Sequence, residues 1–264
     1  MVGDQVRVTG DLSGKTGSLA RIVEVLPRKS VLTRSAEDSP GAKEKPMVAN
    51  ADQLAIVTAC ANPQPRPRMI DRLLVAAYSA GLKPLLLLTK ADIARPEPIL
   101  ELFSPLEVPA IVTSIESSQG IDAAGEALAA TTTVMVGHSG VGKSSLMNNL
   151  IPHADRQIGQ VNQVTGRGRH TSTSAIAIEF RGGWLIDTPG IRSFGLAHIE
   201  TDDLLAAFPD LAEVAAQCPK LCPHLPSVPG CQLSTLGKTN PAQMRRVESF
   251  RRLLASQNSQ NPLV

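Results

Sequence analysis

Apolar and polar positions alternate at the start of the chain and then give way to longer apolar runs. Val6 and Val8 alternate with Arg7 and Thr9, Ile22, Val23, Val25 and Leu26 cluster ahead of Pro27, and Val31-Leu32 follows the basic pair Arg28-Lys29. Glycines and a polar stretch, 35–46, separate these runs, so residues 1–50 are expected to form the short strands of a small β-barrel. From residue 51 the texture changes. Leu54-Ala-Ile-Val-Thr-Ala-Cys60 reads as a buried strand, followed by the loop Asn62-Pro-Gln-Pro-Arg-Pro67 and a helical spacing over 69–80 that stops at Gly81. Further strands are expected at 85–88, 108–113, 133–136, 175–180 and 184–186, with helices at 122–130 and 144–150. This alternation predicts an α/β unit over 51–208, its mostly parallel sheet covered on both faces. Residues 209–264 read as a third unit: a short helix at 211–217, a cysteine cluster, a closing helix at 241–255 and a Ser/Gln/Asn-rich tail expected to fray.

Composition changes this picture in three places. The 264 residues are 42% apolar with a net charge of +2, which supports a core and excludes wholesale disorder. The longest apolar run, 54–61, already contains Thr58, far short of the ~18 residues of a membrane span. The opening Met1-Val-Gly-Asp-Gln-Val lacks the basic-then-apolar profile of a secretory signal, so a cytoplasmic chain with no membrane association is expected. Only seven residues are aromatic (Tyr78, Trp184 and five Phe), which argues against base stacking on aromatic platforms and leaves contacts to phosphate backbones. Cys218, Cys222 and Cys231 fall within fourteen residues; three clustered cysteines cannot pair among themselves, and they point to a metal.

The segment Gly137-His138-Ser139-Gly140-Val141-Gly142-Lys143-Ser144 matches G-x-x-x-x-G-K-[ST] and stands between an expected strand and an expected helix. Glycines let backbone N–H groups wrap phosphates, and the helix N-terminus adds a favourable dipole. Lys143 would neutralise the β/γ-phosphates and Ser144 would bind Mg²⁺, with Ser145 also in the nucleotide-binding set. Further on, Asp187-Thr-Pro-Gly190 follows the strand at 184–186. Asp187 can hold the Mg²⁺ through water, and Gly190 can turn an amide toward the γ-phosphate. Alone, such an Asp-x-x-Gly is an ordinary turn; behind a phosphate loop it completes a nucleoside triphosphate site.

Thr89-Lys90-Ala91-Asp92 closes the strand at 85–88, at the carboxyl edge where open α/β sheets bind ligands. A carboxylate there can accept from both N1–H and the 2-amino group of guanine, a pattern adenine lacks, and the Lys90 stem can lie over the base. This resembles the [N/T]-K-x-D signature of GTPases, with Thr89 where Asn is usual; Thr113 and Ser114 would then supply backbone contact to the guanine carbonyl. A Lys/Asp loop capping a helix is the alternative. Ordinary GTPases run phosphate loop, Asp-x-x-Gly, guanine loop, whereas here the guanine loop comes first. That order is a circular permutation, which a parallel sheet with neighbouring termini tolerates, and it leads the Asp-x-x-Gly loop straight into the C-terminal unit.

On this order, on Gly166-Arg-Gly-Arg-His170-Thr171-Ser-Thr173 and on the cysteine cluster, the chain resembles the bacterial ribosome small subunit-dependent GTPase A (RsgA) family over nearly its whole length. The resemblance implies an N-terminal OB-fold over 1–50, a circularly permuted P-loop GTPase domain over 51–208 and a C-terminal zinc-binding helical domain over 209–264. Fifty residues supply three or four of an OB-fold's five strands, so the barrel is expected to be truncated. It also implies a monomeric GTPase that binds the small (30S) ribosomal subunit and its 16S rRNA. GTP would be hydrolysed to GDP and phosphate late in subunit assembly, slowly alone and faster on the subunit.

Where many GTPases carry a water-orienting Gln after Asp-x-x-Gly, this chain has Ile191, so another group must place the water or hydrolysis is slow. His170, in the Gly/Arg-rich segment where the first switch belongs, is the candidate, and the resemblance points to it as catalytic; a solvated loop residue or an RNA contact is the alternative. Thr171 or Thr173 would offer the second Mg²⁺ hydroxyl, with Thr171 taken first. The polar stretch 159–168, with Arg167, has the composition of a loop that a ligand orders, here the small subunit. A rival reading is a non-catalytic GTP-sensing RNA-binding module, in which Ile191 marks lost hydrolysis.

Cys218-x3-Cys222-x-His224-x6-Cys231 offers three thiolates and one imidazole, enough for a closed tetrahedral site and hence one structural Zn²⁺. A free-thiol core or a redox pair is the alternative, and Cys60 reads as packing. Between Cys218 and Arg252 six basic residues face one acidic, Glu248. Arg245, Arg246, Arg251 and Arg252 on one helix are expected to contact rRNA phosphates, a solvated helix face being the bland alternative.

Overall fold

The computed structural model of the protein describes residues 1–13, 15, 17–35, 44–151, 175–188, 201–206, 208–236 and 241–258. Four strands precede residue 50: β1 Val6–Gly10, β2 Ala20–Val25, β3 Val31–Ser35 and β4 Glu44–Ala49. They pair as two antiparallel hairpins, β1 with β2 and β3 with β4. Among the described residues these strands do not close into a barrel; a single parallel bridge from Val2 to Val48 and the Arg28–Asp4 ion pair, at 2.7 Å, link the two. The alternation in β1 and β2 does produce two faces. Val6 pairs with Val25 and Val8 with Ile22 on one side, while Arg7 meets Glu24 at 2.6 Å on the other. All four apolar residues are exposed, because a two-stranded ribbon has no second layer of its own to bury against.

The main sheet has six strands: β5 Gln53–Ala59, β6 Lys83–Thr89, β7 Ala110–Val112, β8 Thr132–Gly137, β9 Ile176–Phe180 and β10 Gly183–Asp187. Their order is β7-β6-β5-β8-β10-β9. Every pairing is parallel except that of β9, an antiparallel edge strand joined to β10 by a tight turn. The described helices are α1 Pro67–Ser79, α2 Glu97–Phe103, α3 Ile121–Leu128, α4 Lys143–Leu150, α5 Thr201–Ala206, α6 Pro209–Ala215, α7 Leu233–Leu236 and α8 Pro241–Asn258.

Period-two side-chain alternation splits the core into two layers. Leu54, Ile56, Leu86, Leu88, Val134 and Val136 face one way, toward α1, α5 and α8; Ala55, Val57, Leu85, Leu87, Met135 and Leu185 face the other, toward α3 and α4. Both faces are covered, which is why β5 and β6 read as continuous apolar runs. Helix α1 begins with Pro67 at its first position, where a missing N–H costs nothing, and buries Ile70, Leu73, Leu74 and Ala77 at the i, i+3, i+4, i+7 spacing. Helix α8 sends Val247, Phe250, Leu253 and Leu254 into the same layer, with Phe208 edge-on to Phe250 at 5.7 Å. Helix α2 is short, with Pro96 at its N-cap and Pro98 in its first turn, so no periodicity announces it. No described helix is long and apolar enough to cross a membrane.

Candidate nucleotide site and cysteine cluster

Parallel strands deliver their carboxyl ends to one edge, and the motif residues lie along it: Thr89 ends β6, Thr113 follows β7, Gly137 ends β8 and Asp187 ends β10. Between β8 and α4 the loop turns through Gly140 and Gly142, at φ +83° and +92°, a left-handed backbone that glycine adopts without strain. Helix α4 then starts at Lys143, with its first N–H groups unpaired within the helix. The Lys143 Nζ is buried and donates to Asp187 Oδ1 and, at 2.7 Å, to the Thr188 carbonyl. Thr188, fully buried, donates its hydroxyl to the Met135 carbonyl at 2.8 Å, which fixes the exit from β10 against β8. His138 sits in the loop with Nδ1 2.9 Å from the Ser139 carbonyl.

The guanine-type loop is bound to this phosphate-type loop from several sides. Thr89 Oγ1 donates to the Val141 carbonyl and lies 3.3 Å from that of Thr58. Lys90, itself at φ +59°, donates from Nζ to the Gly140 carbonyl at 2.8 Å and to the Asn62 carbonyl. The Thr at position 89 thus makes the cross-loop hydrogen bond with a hydroxyl. Ser114 Oγ donates to Asp92 Oδ1 at 2.6 Å, which orients the carboxylate and leaves its second oxygen open. The Ala91 N–H reaches the Thr113 carbonyl at 3.2 Å, which joins the loops after β6 and β7.

Two clefts result. One, of about 330 Å³, is lined by residues that include Thr89, Lys90, Asp92, Thr113, Gly142 and Ser145. The other, of about 300 Å³, is lined by Lys90, His138, Ser139, Gly140, Gly142, Lys143, Ser144 and Ser145. They adjoin at Lys90, Gly142 and Ser145. A carboxylate stands in the first and a cation with unpaired helix N–H groups in the second, the polarity needed for a base followed by phosphates.

The model of the RsgA GTPase family matches residues 25–197. The chain belongs to the RsgA GTPase family. The small ribosomal subunit biogenesis GTPase RsgA of Ectopseudomonas mendocina is 41% identical over 243 residues, covering 89% of this chain and 69% of that protein. The protein of the same name from Pseudomonas aeruginosa is 40% identical over 261 residues, covering 94% and 75%. Among solved structures, YjeQ from Thermotoga maritima matches with a TM-score of 0.71 at 29% identity, over 97% of this chain and 84% of that one. YloQ, described as a circularly permuted GTPase, matches in fold with a TM-score of 0.68 at 23% identity, over 100% and 82%. The permuted order expected from the motifs is the order of this RsgA-family sheet, in which the strand leading to residues 89–92 precedes the strand leading to 137–144.

In the C-terminal part, the ligand atoms of Cys218, Cys222, His224 and Cys231 all lie within 4.8 Å of one another. Tetrahedral zinc with Zn–S of about 2.3 Å sets sulfur atoms about 3.8 Å apart, so small shifts close this donor set on an ion. The Gln232 N–H donates to Cys218 Sγ at 3.2 Å, and Arg251 Nη2 approaches Cys231 Sγ at 3.8 Å. Donors aimed at sulfur favour thiolates, the form that ligates. The cluster is compatible with zinc.

The arginines of α8 require a correction. Arg246 donates to both carboxylate oxygens of Asp210, at 2.6 and 2.9 Å, and to the Pro105 carbonyl at 2.9 Å, with its guanidinium over Phe208. Those bonds hold the Asp210 carboxyl below the usual carboxylate range. Arg251 donates to the His224 carbonyl at 2.9 Å and to Ser234 Oγ at 2.7 Å. Arg252 Nε lies 3.0 Å from both oxygens of Asp71, which is fully buried on α1; burial pushes that carboxyl up, and Arg252 opposes the push. Three of the four arginines assigned to an RNA face are therefore spent inside the protein, while Arg245 is exposed. The reason is geometric: steps of 100° send neighbouring residues to different sides of a helix, and Arg246, Arg251 and Arg252 border the apolar stripe.

His170, Thr171, Thr173, Gly190 and Ile191 lie outside the described residues, as does 159–168. Sequence reasoning missed the roles of Asn62, whose backbone carbonyl accepts from Lys90, and of Thr188, a variable position inside Asp-x-x-Gly whose carbonyl accepts from Lys143 and whose hydroxyl donates to Met135. It also missed Asp71, although an acid inside the apolar face of a helix is a signal that a buried cation waits elsewhere.

Proposed function

We propose that this chain is a GTPase that works on the small ribosomal subunit during its biogenesis. The observation that supports GTP most strongly is the pair of adjoining clefts, one holding the Asp92 carboxylate and the other Lys143 at the head of α4. The small subunit enters through the names of the relatives above. Asp92, held by Ser114, accepts from guanine N1–H and the 2-amino group, while Lys90 lies along the base and ties both loops. Thr113 and Ser114 edge the base; residues 137–145 wrap the phosphates. Ser144, Asp187 and Thr171 would hold Mg²⁺, which would supply positive charge against the phosphates. Gly190 turns its amide to the γ-phosphate, and His170 orients the attacking water in place of a glutamine. Cys218, Cys222, His224 and Cys231 would hold one Zn²⁺, which would fix the fold of the C-terminal unit.

The reading divides the chain into a β-rich unit over 1–50, the permuted GTPase unit over 51–208 and the zinc-binding unit over 209–264. It places a monomer in the cytoplasm, in contact with 16S rRNA of the small subunit. GTP turnover by the purified chain, with and without small subunits and with ATP and large subunits as controls, tests it. Turnover of GTP alone, raised by small subunits alone, is the expected result. Nucleotide-dependent subunit binding without turnover would replace it by the GTP-sensing module. Equal use of ATP would overturn the base assignment.

A further inference from the structure

We propose that Arg66 is a phosphate-binding residue of the nucleotide site, presented by the proline-rich loop 62–67 to the terminal phosphate of GTP. The proposal rests on the reading of the clefts as a GTP site. Four observations carry it. First, the loop is joined to the phosphate loop: Lys90 Nζ bonds both the Asn62 and the Gly140 carbonyls, and Pro63 lies against Gly140, its Cδ 3.7 Å from where a Cβ there would be. Second, the loop is stiff, with Pro63, Pro65 and Pro67 each fixing φ. Third, Arg66 occupies the N-cap position of α1 without a side-chain capping bond, and it lines a small, mainly apolar cleft together with Gly137, His138 and Val141 of the phosphate loop, beside the phosphate-type cleft. Fourth, Arg66 is exposed, and while its backbone carbonyl accepts from the Met69 and Ile70 N–H groups, its guanidinium has no ion pair or hydrogen bond to any described residue.

The charge balance gives that free guanidinium a task. A magnesium-bound triphosphate keeps net negative charge, and phosphoryl transfer spreads it over the γ-oxygens. Lys143 is the buried cation of the site, but Asp187 already stands against it. A planar guanidinium on a preset loop supplies the missing positive charge without reorganising. GDP lacks the γ-phosphate, so Arg66 distinguishes the two nucleotides rather than strengthening both.

The test measures GTP and GDP affinities by displacement of a fluorescent guanine nucleotide, together with single-turnover hydrolysis at saturating GTP, for Arg66→Gln, Arg66→Lys and Arg68→Gln. Arg68 is exposed, one residue past Pro67, and makes the same charge change outside the cleft. Arg66→Gln is expected to weaken GTP about tenfold and GDP less than twofold and to slow the single turnover. Arg66→Lys should fall between, and Arg68→Gln should match wild type. Equal losses of GTP and GDP would reduce Arg66 to a support of the loop, and indistinguishable effects of Arg66→Gln and Arg68→Gln would reduce it to general charge; either overturns the proposal. A wild-type chain that binds no guanine nucleotide fails the GTP reading itself, whereas tight GTP binding by wild type and Arg66→Gln alike fails only this inference.

Discussion

Replacing Arg252 by leucine isolates the buried pair that joins α8 to the sheet-covering helix α1. The leucine keeps apolar contact with Phe103, over whose ring the guanidinium lies at 5.0 Å, so the loss is electrostatic. Asp71 would then be fully buried with no cation against it. Breaking a buried pair from one side costs about 3–5 kcal/mol. The cost has a ceiling, because the carboxyl can protonate instead: from an unfolded pKa of about 3.9, that takes about 4 kcal/mol at pH 7 and about 1.5 kcal/mol at pH 5. With the arginine gone, burial alone raises the native pKa of Asp71 above the unfolded one. The penalty is then full above the native value and disappears below the unfolded value. Urea unfolding followed by circular dichroism should show Arg252→Leu destabilised by about 3 kcal/mol at pH 7 and by roughly half that or less at pH 5. Converting Asp71 to leucine as well should recover most of the loss, since two apolar groups need no partner. A cost under about 1 kcal/mol at pH 7, or one that is the same at both pH values, would refute the reasoning.

Three further outcomes are expected. Asp92→Asn removes an acceptor for two guanine hydrogen bonds to a charged group, worth about 3 kcal/mol together, so guanine-nucleotide affinity should fall about 100-fold with the melting temperature unchanged. Chelation should release one zinc per chain and expose 209–258 to protease while the sheet stays folded, which limited proteolysis with metal analysis reads directly. The Arg246 bonds hold the Asp210 carboxyl below its usual range, so their support is complete above the ordinary carboxylate pKa and is lost as pH falls through the lowered native value. The stability gap between wild type and Asp210→Asn should accordingly be full at neutral pH and narrow progressively once the pH falls below the ordinary carboxylate range.

What the sequence discloses and what it hides follow from the range of the interactions. Strand β5, the phosphate loop and the four metal-type ligands are local: each is a run or a spacing, and each stands in the structure where its pattern places it. The closeness of Thr89 to Val141, 52 residues apart, is legible only through knowledge of what such motifs bind. Helix α2 hides because it is only seven residues long and has prolines at its N-cap and in its first turn. The arginines of α8 mislead because charge can be counted along a chain, whereas the direction of a side chain depends on which helix face the core claims. Asp71 and Arg252, 181 residues apart, are each anomalous in an apolar stretch; neither names its partner.

The order of the sheet also sets a timetable for synthesis. Strand β5 is central, between β6 and β8, yet it is made well before one of its neighbours. Gln53 is in register with Thr133, and their side chains bond at 2.9 Å across 80 residues of chain. At about 5–20 residues per second, that separation leaves one edge of β5 without its strand for about 4–16 s of translation. Its apolar run is therefore an open template for pairing with other chains during that interval, and the yield of folded protein depends on how quickly β8 arrives.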